Sequence, residues 1–120
     1  MSTNTSLKCK FEVFKSTVNG QFYFRLRAEN SEPIFSSEGY LRKSDCLDGV
    51  TAVRKYATQE QYYNRLGQAS NLYFTVEASN GEPLGRSEMY TASAAREVGI
   101  ASVKANASVA PIVDLTTVAA

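Results

Sequence analysis

Two four-residue runs carry the most chemistry-bearing side chains of the chain, Ser37-Glu38-Gly39-Tyr40 and Ser87-Glu88-Met89-Tyr90. A carboxylate beside a phenol can serve as acid and base, or hold a small polar ligand. A plainer role is open to the same residues. At the entry to a helix, hydroxyls and a carboxylate can satisfy free backbone N–H groups while the Tyr packs beneath it. The duplication favours the plainer role, because a packing need recurs in every copy whereas an active site is needed once. A second pattern alternates Tyr23, Arg25 and Arg27 with apolar neighbours, and later Tyr73, Thr75 and Glu77 in the same way. A strand face bearing Tyr and Arg can stack and pair with single-stranded nucleic acid. Its plainer role is a solvated sheet face with cross-strand charge pairs.

Composition removes most other chemistry. The 120 residues include no His and no Trp. Without His there is no Ser-His-Asp triad, no Cys-His pair and no imidazole metal site. Cys9 and Cys46 are the only thiols and do not form a CxxC pair. Two thiols cannot complete a four-ligand zinc site. Cys46 falls on the apolar side of a predicted helix and reads as a small buried hydrophobe. Cys9 lies between Lys8 and Lys10, whose charges would lower its pKa. No phosphate-cradling glycine loop, metalloprotease or esterase motif occurs, so no cofactor is expected.

Thirteen Lys and Arg against twelve Asp and Glu give a net charge of +1. That is no strong field for nucleic acid or an anionic membrane. Basic residues gather early: nine basic and seven acidic residues precede position 61, against four and five afterwards. Glu12, Glu29 and Glu32 lie close enough in sequence to blunt that excess. Met1 to Lys10 lacks the apolar core of a secretory signal, and no apolar run approaches a membrane span. The expected compartment is the cytoplasm, and the sequons at Asn4 and Asn106 then carry no weight.

The elements that position these residues are duplicated. Tyr23 to Ala57 aligns with Tyr73 to Ala107 at a constant offset of fifty, without gaps. Identical pairs include Tyr23/Tyr73, Phe24/Phe74, Pro33/Pro83, Tyr40/Tyr90, Gly49/Gly99 and Val53/Val103. Two copies are too few for a solenoid, so a closed pair of halves is expected. Alternation of Phe22, Phe24, Leu26 and Ala28 with polar neighbours predicts a strand, repeated by Leu72, Phe74, Val76 and Ala78. Phe11 and Val13 predict a strand before it, joined through a turn at Asn19-Gly20. Asn30-Ser31 and Asn80-Gly81 mark the next turns, and Pro33 and Pro83 open short third strands. A helix follows, with Ser44 as N-cap, Asp45 in its first turn, and Cys46, Val50, Val53 and Ala57 on one face. Gly49 and Gly99 share that face, which predicts a close approach of the helix backbone to the sheet. Tyr62 to Leu66 and Pro111 to Leu115 are further strand signals.

The stretch carrying Tyr73-Phe74, Ala78-Ser79-Asn80-Gly81, Ser87-Glu88-Met89-Tyr90 and Gly99-Ile100-Ala101-Ser102-Val103-Lys104 resembles the YegP-like family of small bacterial proteins. Copy one is looser, with Ser31 where an Asn-Gly turn is usual and Cys46-Leu47 in the helix. The resemblance implies two β-β-β-α-β units sharing one sheet, with C-terminal strands exchanged between halves. It brings no established activity and no site residues.

The expectation is therefore one α+β domain over residues 1–120, made of repeat 1 (about 10–60) and repeat 2 (about 61–115). It has a single antiparallel-type sheet with both helices on one face. The expected function is a non-enzymatic binding or protein-interaction module, monomeric and without membrane contact. Its surface would comprise Tyr23, Arg25, Arg27, Tyr73, Thr75 and Glu77. Single-stranded nucleic-acid binding through the same face is the alternative. A small enzyme using Glu and Tyr comes third, and requires a concave pocket at Glu38 or Glu88.

Overall fold

The structure, a computed structural model, describes residues 9–28 and 30–116. The Asn4 sequon, Lys8, Glu29 and, of the C-terminal stretch Thr116 to Ala120 that is expected to fray, all but Thr116 lie outside the described residues.

Repeat 1 supplies β1 (Lys10–Lys15), β2 (Phe22–Arg27), β3 (Pro33–Ser36) and α1 (Lys43–Tyr56). A 3-10 turn, Glu60–Tyr62, leads into β4 (Tyr63–Gln68), β5 (Asn71–Glu77), β6 (Pro83–Ser87), α2 (Ser93–Asn106) and β7 (Ile112–Asp114). This is an α+β fold with one seven-stranded sheet in the order β4-β5-β6-β3-β2-β1-β7. The repeats meet where β3 pairs with β6, through Phe35 opposite Ser87 and Ser36 opposite Arg86. All neighbours are antiparallel except β1 and β7, which run parallel. The sheet is thus mixed at one edge: α2 carries the chain back to lay β7 beside β1, a crossover that suits parallel pairing.

The strand alternation holds. Phe11, Val13, Phe24, Leu26, Phe35, Phe74 and Val76 are all fully buried. They form one core cluster with Cys46, Val50, Val53 and Ala57 from repeat 1 and Ile100, Val103 and Ala107 from repeat 2. The expected helix face is therefore the face that packs. Burial leaves the Cys46 thiol pushed up to about 11, an inert hydrophobe at neutral pH. Cys9 is buried as well.

Two local expectations are corrected. Ser44 is not the N-cap of α1. The capping position is Arg42, in extended conformation and without a side-chain cap bond, so Ser44 lies inside the helix. Arg42 instead donates from Nε to the Asp45 carboxylate at 3.1 Å. The first hairpin is not a two-residue turn. Lys15 pairs with Phe22, so residues 16–21 form the loop, and only Gly20 within it has positive φ. Side chains close this loop: Asn19 Oδ1 accepts from the Gln21 N–H at 2.9 Å and Ser16 Oγ from the Val18 N–H at 3.1 Å. The two-residue hairpin occurs in the second copy, between Gln68 and Asn71. The turns at Ser31 and Gly81 both have positive φ, 70° and 86°.

Candidate functional site

The Ser-Glu-x-Tyr runs come first, because the structure gives each of their side chains a place. The Phe24 N–H donates to Ser37 Oγ at 2.9 Å, and the Phe74 N–H donates to Ser87 Oγ at the same distance. Each serine hydroxyl then donates to the main-chain carbonyl of the next residue, Glu38 or Glu88, at 2.8 Å. The serines thus supply the partner that β2 and β5 lack where the third strands end. Tyr40 stacks on Phe24 and Tyr90 on Phe74, both with centroids 6.4 Å apart. A Cβ at Gly49 would stand 2.5 Å from the Tyr40 hydroxyl and 2.9 Å from the Phe24 ring. One at Gly99 would collide with the Tyr90 hydroxyl. The helix glycines therefore make room for these tyrosines, and the close approach is to a ring rather than to sheet backbone.

The plainer role holds for Ser and Tyr but not for Glu. Glu38 and Glu88 are exposed, and it is their carbonyls, not their carboxylates, that accept hydrogen bonds here. Acid-base use of the phenols is disfavoured as well. Burial, seconded by nearby Cys46 and Glu38 at Tyr40 and by Glu88 at Tyr90, raises both above the ordinary phenol value. A concavity of about 400 Å³ lies elsewhere, among Phe14, Lys15, Ser16, Thr17, Leu115 and Thr116. No group of metal-ligating side chains occurs among the described residues.

The six residues of the expected surface are all half-buried. They form two clusters, not one. On β1 and β2, Glu12 sits opposite Arg25 and accepts Nε–H bonds from Arg25 and Arg27, both at 2.7 Å. Lys10 adds a third cation at 3.7 Å. Glu12 itself is only 8% exposed. Burial pushes its carboxyl up, but the bonds and charges of Arg27 and Arg25 outweigh that and hold it below the ordinary value. Arg25 also lies over the Phe14 ring at 4.3 Å, and Tyr23 stacks on the same ring at 5.8 Å. Arg27 Nη1 donates to the Ser31 carbonyl at 2.6 Å. On β4 and β5, Asn64 donates to Glu77 at 2.5 Å, Thr75 stands between Asn64 and Arg86, and Arg86 lies over the Tyr73 ring at 4.7 Å.

One row of side chains joins the clusters. Successive pairings align Asn64, Thr75, Arg86, Ser36, Arg25 and Glu12 across six neighbouring strands. Arg86 is the member that sequence reasoning missed. The available signal was a departure from the repeat: the offset of fifty places Arg86 where copy one has Ser36. Arg86 is exposed and, among the described residues, makes no ion pair. No helix described is long and apolar enough to cross a membrane.

A family model described as a domain of unknown function, DUF1508, matches residues 18–64 and again residues 68–114. The chain is 39% identical over 106 residues to the UPF0339 protein in the ptx operon 5' region of Stutzerimonas stutzeri, spanning 88% of this chain and 95% of that one. It is 43% identical over 107 residues to the UPF0339 protein YegP of Escherichia coli K12, spanning 88% of this chain and 96% of that one. The solution structure of E. coli YegP, itself described as a protein of unknown function, superposes with a TM-score of 0.85 at 38% identity, covering 92% of this chain and 96% of that one. These relatives are uncharacterised, and neither their names nor the geometry above points to an enzyme. With a duplicated match and relatives aligned over nearly their whole length, the chain belongs to the DUF1508 family and carries its domain twice.

Proposed function

We propose that this chain is a non-enzymatic binding or protein-interaction module whose contact surface is the outer face of the sheet, the face that carries Tyr23, Arg25, Arg27, Tyr73, Thr75 and Glu77. The reading treats residues 1–120 as one monomeric domain in the cytoplasm, with both helices on one face and the closing strand of each repeat lying in the other half. Both helices contribute to a single buried cluster with alternate strand positions, which supports the one-face arrangement. Pairing of β4 with β5 and of β7 with β1 supports the exchange of closing strands.

The observation that carries the reading is the polar row from Asn64 to Glu12. It spans both repeats on the side of the strands that does not feed the core. Two guanidiniums, Arg25 and Arg86, lie in it, and the Phe14, Tyr23 and Tyr73 rings flank it, residue types that anchor contact surfaces. The enzyme alternative would use Glu38 or Glu88, whose partners in each run, Ser and Tyr, are already engaged in packing.

The test is a tagged pull-down from native cell extract at low salt, read by mass spectrometry and by nucleic-acid absorbance. The wild type is compared with a chain carrying Arg25→Glu and Arg27→Glu. The expected result is a stoichiometric partner that the variant loses. A partner retained by the variant, with the outer face still accessible to surface labelling, overturns the reading.

A further inference from the structure

We propose that the open edge of β4 takes an extended peptide as an eighth strand, parallel to β4 and held as β7 is held on β1. This goes beyond the outer-face reading. The contact is made by main-chain groups at the sheet edge and uses neither the Glu12 cluster nor Arg86.

The sheet is symmetric about the contact of β3 with β6, except at its ends. β1, β2 and β3 correspond to β4, β5 and β6. Beyond β1 lies β7, in parallel register, with Phe11 beside Ile112 and Val13 beside Asp114. Beyond β4, among the described residues, there is no strand. The order of the chain accounts for the difference. The strand after α2 is free to close the edge of β1. The strand after α1 is β4, which already serves as the first strand of repeat 2. The edge of β7 is only three residues long, whereas β4 has six. A long strand left unpaired at an edge is a template for another chain.

The unpaired main-chain groups can be named. On β5 the Leu72 and Phe74 N–H groups point away from β4, to the Tyr90 carbonyl and Ser87 Oγ. Main-chain groups alternate sides along a strand, so Asn71, Tyr73 and Thr75 bond β4 through Gln68, Leu66 and Asn64. The groups of Tyr63, Arg65 and Gly67 then face the open side. The Tyr63 N–H turns back to the Glu60 carbonyl, and Gly67, with a φ of 91°, bends the strand. What remains is the Tyr63 C=O with the N–H and C=O of Arg65. None of the three has a hydrogen-bond partner among the described residues, and Arg65 is exposed. The Arg65 side chain is drawn toward the helix layer, to Glu97 on α2 and to Glu60, both at 2.6 Å.

These groups correspond to those with which β1 holds β7. Tyr63 and Arg65 stand in the places of Phe11 and Val13: they pair with Val76 and Phe74, where Phe11 and Val13 pair with Leu26 and Phe24. On β1 the Phe11 N–H donates to the Pro111 carbonyl, and the Leu115 N–H donates to the Val13 carbonyl, both at 2.8 Å. Pro111, Val113 and Leu115 therefore face β1, while Ile112 and Asp114 face away. A strand of the same sequence and register on β4 sets its Ile beside Tyr63 and its Asp beside Arg65. Its Val and Leu N–H groups donate to the Tyr63 and Arg65 carbonyls, and its Val carbonyl accepts from the Arg65 N–H. An alternation of donor and acceptor along an edge is matched by an extended peptide backbone. The molecule thus carries, in β7, an example of the strand that fits.

The test titrates the isotope-labelled full chain with the end-capped peptide Ala-Pro-Ile-Val-Asp-Leu-Thr, the sequence of residues 110–116. Amide shifts are expected along β4, with slower hydrogen exchange at the Arg65 N–H. Methylating the peptide's Val or Leu nitrogen removes a donor that faces β4 and should weaken binding at least about tenfold. Methylating its Asp nitrogen, which faces away, should weaken binding far less. Arg65→Pro removes the edge donor from the outward side of an edge strand, where Pro is tolerated, and should abolish the shifts. Arg65→Ala keeps the N–H and should lose less. Thermal melts report whether each variant is folded, and the methylated peptides test the wild type independently of the variants. Absence of shifts on β4 at millimolar peptide overturns the proposal, as does equal weakening by all three methylations. Shifts confined to β1 and α1 would show that the peptide displaces β7, and would overturn it too. So would protection at Arg65 that grows with protein concentration in the absence of peptide, which assigns the edge to a second copy.

Discussion

The two repeats share their inner architecture and differ on their outer face. Inside, the correspondence is residue for residue. Ser37 and Ser87 accept from the backbone of Phe24 and Phe74 at one distance, and Tyr40 and Tyr90 stack on those rings beneath Gly49 and Gly99. Outside, Glu12 gathers three cations in one copy, where the other has Asn64, Thr75 and Glu77. The central position of the row is Ser36 in one copy and Arg86 in the other. Close packing explains the first half of this contrast, because a core ring tolerates neither a lost methylene nor an added one. The copies diverge along the outer row, where we propose that the contact surface lies.

Cutting the chain breaks the pairing of copies most severely. A fragment ending near Thr58 retains one repeat and loses β6 and β7, the neighbours of β3 and β1. At about fifty residues it buries too little to stand alone. The expected outcome is an unfolded chain or a self-associated dimer by sedimentation and circular dichroism; a well-folded monomer would break the shared-sheet account.

Single substitutions sharpen the comparison. Phe24→Ala and Phe74→Ala each remove a fully buried ring and should cost about 3–5 kcal/mol in chemical denaturation. The two costs should agree to within about 1 kcal/mol if the halves are packed alike. Ser87→Ala and Ser37→Ala each leave a strand N–H without its partner, at about 1–3 kcal/mol. Ser87 is buried and Ser37 half-buried, so the second copy should lose more. Equal losses would show that water replaces the hydroxyl at both.

The Glu12 cluster gives stability a pH dependence. The folded Glu12 carboxyl titrates below its ordinary value of 4.5. Its stabilisation is therefore present above that value and is lost as pH falls through the folded pKa. Glu60, held down to about 2 by Arg65 and Lys104, and Asp114, held down to about 2 by Lys43 and Thr116, act in the same sense. Stability should be level near neutrality and decline from about pH 4.5 toward pH 2. Glu12→Gln should cost about 1–2 kcal/mol at neutral pH, after screening at the partly exposed guanidiniums, and make the decline shallower. The smallest effect concerns the turns. Ser31 holds a φ of 70° where Gly81 stands in the other copy. Ser31→Gly should therefore gain at most about 1 kcal/mol, and Gly81→Ser lose a similar amount.

How much was legible in the residues follows the same division. The ungapped repeat exposes strands, helices and the helix face that packs, because burial imposes a period on residue type. The glycine pair announced a close contact, although not that its partner would be the tyrosine of the Ser-Glu-x-Tyr run. Loop and cap details were illegible. The loop at residues 16–21 is closed by side chains of Ser16 and Asn19, while the dipeptide Asn19-Gly20 suggests a tighter turn. Both helices begin after the same repeat position, Arg42 and Ala92, and neither carries a side-chain cap that its sequence could announce. The surface was half legible. Alternation marks Tyr23, Arg25 and Arg27 as outward, but only sheet order brings Arg86 beside Ser36 and Arg25.

The division of labour between duplicated interior and divergent surface is tested most directly by measuring stability and binding on the same two variants. One carries Ser37→Ala with Ser87→Ala; the other carries Arg25→Gln with Arg86→Gln. The account predicts that the serine variant melts several degrees lower and, below its melting point, keeps its partner. The arginine variant should change far less in stability and lose the partner. A serine variant that loses binding while fully folded, or an arginine variant that keeps it, would contradict the account.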